Sequence, residues 1–77
     1  MTRSEILRVQ KYLNHLFGTS RIQLKAGKQK DGSVEVLMGD EFIGMIYRDD
    51  EDGEVSYDFN MAILESDLPV AAGVPSE

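Results

Sequence analysis

The stretch VEVLMGDEFIGMIYR, residues 34–48, decides the fold class. Val34, Val36 and Met38 recur at every second position, the period of a strand with one buried face. Gly39-Asp40 then supplies the positive-φ backbone that a two-residue hairpin turn requires. The chain returns as EFIGMIYR, residues 41–48. Such a turn pairs Val36 with Ile43 and Val34 with Met45, so these four share one face. Leu37, Phe42 and Ile46 then share the other.

Downstream, EVSYDFNMAI (54–63) carries Val55, Tyr57, Phe59, Met61 and Ile63 on the same period. For that row to join Ile43, Met45 and Tyr47, the connection needs an odd length, three or five residues, ending at Gly53. Upstream, Ile22, Leu24 and Ala26 alternate with Arg21, Gln23 and Lys25, and AGKQKDG reads as a loop with its turn at Asp31-Gly32. Before that strand the period lengthens. Thr2 and Glu5 fit a capping box, Ile6, Val9, Leu13, Leu16 and Phe17 form a helical stripe, and Gly18 ends it. The expected fold is α+β, an N-terminal helix packed on a four-stranded antiparallel meander, with a helix-lidded half-barrel as the alternative. Residues 1–66 form the single expected domain. Residues 67–77, with two prolines and no periodicity, read as a disordered tail.

At 77 residues such a domain buries only about 60% of the surface its unfolded chain exposes, so its stability margin is thin. With no cysteine it has neither disulfides nor thiolate metal sites, which fits a reducing cytoplasm. Apolar runs are too short to span a membrane, and the N-terminal segment lacks the continuous apolar core of a signal peptide. The formal charge of −6 is unevenly spread. Residues 1–30 hold seven bases and one acid, net +6; residues 31–77 hold one base and thirteen acids, net −12. Two such halves attract each other when they fold together.

The acidic run DDEDGE, Asp49 to Glu54, invites a calcium reading. With Gly53 at the glycine position of an EF-hand loop, however, Arg48 takes the first ligand position and Phe59 the bidentate one. Asp52-Gly53 fits a hairpin connection better, and no metal is expected. His15, the sole histidine, lies opposite the apolar stripe, with no nucleophile or orienting carboxylate implied beside it. No phosphate loop is present, since Lys28 is followed by Gln29, and Gly44 reads as a bulge or close backbone approach. The expectation is a non-enzyme without cofactors.

What remains is the second sheet face. Leu37, Phe42 and Ile46, with Leu64 from the next strand, gather large apolar side chains where water is expected. These four form the expected interface of a small interaction module, homodimer or adaptor, whose partner is itself or another protein. An Ile46→Asp change should then abolish association and leave the fold intact. The alternative is nucleic-acid or anion binding through Arg21, Lys25, Lys28 and Lys30. Nearby aromatics for base stacking are lacking and the acidic half repels a phosphate backbone, so a protein partner is favoured over nucleic acid, with no membrane partner.

The run GDEFIGMIYRDDEDGEVSYDFNMAIL, Gly39 to Leu64, resembles a small uncharacterised alphaproteobacterial protein family with a GDEFIG…RDDEDG…SY-x-F-x-MAIL core. The resemblance spans residues 2–65 and implies a short bacterial cytoplasmic protein. It carries no activity, ligand or functional residue.

Overall fold

A computed structural model describes residues 1–27 and 32–70. It is an α+β fold: helix α1 (Arg3–Leu16), then β1 (Ile22–Ala26), β2 (Val34–Met38), β3 (Glu41–Asp49), β4 (Ser56–Asn60) and a short 3₁₀ turn, Glu65–Asp67. The strands form one open antiparallel sheet in chain order.

The helix begins as its sequence predicts. Thr2 Oγ1 accepts from the Glu5 N–H, and Glu5 Oε1 accepts from the Thr2 N–H at 2.9 Å. At the other end the Gly18 and Thr19 N–H groups donate to the His15 and Asn14 carbonyls, a Schellman motif. The inward arc is Ile6, Val9 and Leu13. Leu16 and Phe17, expected in the stripe, are exposed. The helix packs chiefly on β1.

Gly39, at φ +62, makes the two-residue turn, with Met38 opposite Glu41 and Leu37 opposite Phe42. One step further the simple register fails. Val36 faces Gly44 and Val34 faces Ile46, leaving Ile43 as the extra residue of a β-bulge. The extra residue reverses the face of everything after it. Ile46 therefore enters the core, where it is 1% exposed, while Met45 and Tyr47 take the outer face. This corrects the placement of Ile46 at an exposed interface, and of Met45 and Tyr47 in the core.

The reversal also changes the parity of the next connection. Asp49 pairs with Ser56, so Asp50 to Val55 form a six-residue loop in place of three or five, and Ile46 faces Phe59. The core proper is Leu13, Ile22, Leu24, Val34, Val36 and Ile46, with Tyr57 and Phe59 packed against it. Pairing stops at Met45↔Asn60, beside the bulge, so Met61 and Ile63 are exposed instead of continuing β4. Residues 71–77 of the expected tail, and Asp31 of the expected turn, lie outside the described residues.

Two sets of polar contacts fix how the helix crosses the sheet. Near its start, Glu5 Oε2 accepts from Arg48 Nε at 2.8 Å and from the Tyr57 hydroxyl at 2.5 Å, reaching β3 and β4. Nearer its end, Asn14 donates to the Ile22 carbonyl and accepts from the Ile22 N–H, and Gln10 accepts from the Leu24 N–H. These three bonds occupy outward-facing groups of β1, an edge strand. At the opposite edge, β4 pairs with β3 alone among the described residues.

Candidate functional site

Two concavities of the described surface stand out, one at the uncovered start of β3 and one under the helix. The larger, about 670 Å³, opens where β4 ends and the chain leaves β3. Its walls are the first residues of β3, Glu41 to Met45, and the segment from Asn60 to Leu64, with Asp67 at one end. Because pairing ceases at Asn60, no strand among the described residues covers this side of Glu41–Gly44. Phe42, Met61 and Leu64 are each more than half exposed there. Its charged lining residues, Glu41 and Asp67, are both acidic, so a mostly apolar floor carries an anionic rim.

Two of the expected interface residues thus share this groove, Phe42 and Leu64. Leu37 is half-buried, directly opposite Phe42 across the hairpin. Ile46 is on the other face, for the reason given above. The outer face retains an apolar row even so, because Met45 and Tyr47 replace it. Of the alternative basic set, Lys25 stands opposite Glu35 and Arg21 lies over the Gly39 turn, both exposed. Lys28 and Lys30 lie outside the described residues.

The smaller concavity, about 330 Å³, lies between α1 and the β3–β4 half of the core face. Val9, Leu13, Ile46 and Phe59 form its floor, and Arg8 and Tyr12 stand at its mouth. Glu5 and Tyr57 form a wall but are committed to each other. The Thr2 N–H, the Tyr57 hydroxyl and the Arg48 guanidinium hold the Glu5 carboxyl down to about 2. The same contacts raise the values of Arg48 and Tyr57, since Glu5 favours the protonated form of each.

Arg48 also donates to Asp50 at 2.8 Å, which draws the acidic loop back onto the strand. Within the loop, Asp49 accepts from the Glu51 N–H and the Gly53 N–H bonds the Asp50 carbonyl, with Gly53 at φ +79. The acidic run is a hydrogen-bonded turn. No three acidic or histidine side chains among the described residues converge as metal ligands. His15 is exposed in the last helical turn.

Sequence reasoning read Glu5 only as a cap, and nothing in the spacing links it to Arg48 or Tyr57. Gln10 and Asn14 did leave a signal. They are amides four residues apart, beside Ile6 and Leu13 on the inward arc, where a helix that only covers a sheet would carry apolar side chains.

The family model described as "Protein of unknown function (DUF3126)" matches residues 5–67, from the glutamate that ties the helix to the sheet to the last residue of the 3₁₀ turn. No curated protein and no solved structure matches the chain.

Proposed function

We propose that this chain, which belongs to the DUF3126 family of proteins of unknown function, is a small non-enzymatic protein-interaction module. Its docking surface is the acid-rimmed groove between β3 and the segment after β4. The carrying observation is the pairing of exposed Phe42, Met61 and Leu64 with a charged lining of one sign, Glu41 and Asp67. The partner that complements it is a protein segment with apolar side chains beside Lys or Arg. An adaptor fits this better than a homodimer, because a two-fold dimer built groove to groove would set the acidic rims against each other. The alternative, nucleic-acid or anion binding from Arg21 and Lys25, has less support, since Glu35 opposes Lys25 and offsets its charge. The same reading assigns the protein to a bacterial cytoplasm, on the resemblance of Gly39–Leu64 to alphaproteobacterial proteins and on the lack of cysteine.

The test is a titration of isotope-labelled chain with a synthetic peptide alternating Leu and Lys, and with its counterpart bearing Glu for Lys. The basic peptide should move the resonances of Phe42, Met61 and Leu64, bind more weakly as salt rises, and lose affinity to Phe42→Asp. Light scattering should give a monomer at low and high salt. Equal binding of both peptides, or of neither, overturns the reading. A dimer dispersed by Phe42→Asp would assign the groove to a second copy instead.

A further inference from the structure

Because Gln10 and Asn14 hold the later turns of α1 at the β1 edge, the helix leaves the β3–β4 half of the core face partly uncovered. The resulting cleft, about 330 Å³, is near the lower end of the sizes that hold small molecules. Its floor of Val9, Leu13, Ile46 and Phe59 belongs to the hydrophobic core or packs against it. A ligand entering here would bury hydrocarbon against core side chains.

The charges around the mouth determine which head group such a ligand carries. Glu5 is anionic, but its two carboxylate oxygens are both occupied, one by the Thr2 N–H and the other by Arg48 and Tyr57. Its charge is matched by Arg48. Arg8 lines the same cleft, is exposed, and forms no ion pair among the described residues. The local balance is therefore one uncommitted guanidinium above an apolar floor, with the Tyr12 side chain exposed next to it. A guanidinium presents paired donors that suit a carboxylate.

We infer that this cleft is a binding site for a small apolar monoanion, a carboxylate on a short hydrocarbon tail, with the tail on the half-buried Val9 and Phe59, above the buried Leu13 and Ile46, and the head on Arg8. The site lies on the side of the sheet opposite the outer row of Leu37, Phe42 and Met45. It stands whether or not the acidic groove docks a partner.

Octanoate, octyltrimethylammonium and octanol are the probes, titrated into full-length chain and followed through the methyl resonances of Val9, Leu13 and Ile46. Octanoate should shift these saturably and bind about tenfold more tightly than the cation of the same tail, as expected for reversing one charge near a partly screened partner. Arg8→Glu, an exposed change, should erase or invert that preference while leaving the Phe42 and Leu64 signals in place. Val9→Trp, which fills the cleft, should abolish binding of all three. Three outcomes would overturn the inference: equal affinity for both charged heads, unchanged preference in Arg8→Glu, or shifts confined to Phe42 and Leu64.

Discussion

A methyl group at Gly44 would have nowhere to go. Its carbon would sit 2.6 Å from Phe59 Cε1 and closer still to the Asn60 carbonyl oxygen, so the neighbouring strand itself would have to move. Gly44→Ala should therefore cost about 1–3 kcal/mol, read as a lower urea midpoint with an unchanged slope. Two residues on, Ile46 is 1% exposed, and truncation to Ala should cost about 2–5 kcal/mol. Ile46→Asp should unfold the chain, because an unpaired buried charge costs as much as the roughly 5 kcal/mol available to a marginal domain. Circular dichroism at neutral pH separates that outcome from a folded variant that has merely lost a partner. These residues also show where the sequence was ambiguous. In FIGMI the apolar residues Phe42, Ile43, Met45 and Ile46 flank one glycine, so either register buries an apolar row. Gly44 marked the irregularity, but nothing in the pattern said that the faces reverse there.

Between elements, two polar clusters decide where the helix rests. The Glu5 cluster makes stability depend on acid. The carboxyl titrates at about 2 in the folded chain against 4.5 ordinarily, so its contribution is complete above about 4.5 and is lost as pH falls toward 2. Urea midpoints measured from pH 6 to pH 2 should fall more steeply for the parent than for Glu5→Gln, which has no proton to gain. At the other end of the helix, Gln10→Ala and Asn14→Ala should each cost about 1–3 kcal/mol by leaving edge N–H groups without a protein partner. Hydrogen exchange gives the sharper readout. The Leu24 amide should lose protection in the first variant and the Ile22 amide in the second. Element type, order and both helix caps were legible, since capping boxes, Gly turns and period-two runs are local. The helix's tilt was not, because it depends on Glu5 meeting Arg48 and Tyr57 across more than forty residues of chain.

For the molecule as a whole, the candidate groove was half legible. Phe42 and Leu64 were identified from their apolar character on a face expected to meet water. The walls of the groove arise because β4 stops at Asn60, a result of the bulge that no periodicity reveals. The two concavities differ in charged lining, with Arg8 and the committed Glu5 at one and only the acids Glu41 and Asp67 at the other. The two edges of the sheet differ as well, and the difference sets how far such a protein can grow. In the vocabulary of polymer chemistry, β1 is end-capped by the amides of Gln10 and Asn14, and the β4 side is the open end among the described residues. A monofunctional unit of this kind can be joined once and then offers only capped ends, so strand-by-strand addition terminates at the pair. Removing both amides makes the unit bifunctional. The Gln10→Ala, Asn14→Ala double variant should elongate into thioflavin-positive fibres, while the parent chain stays short.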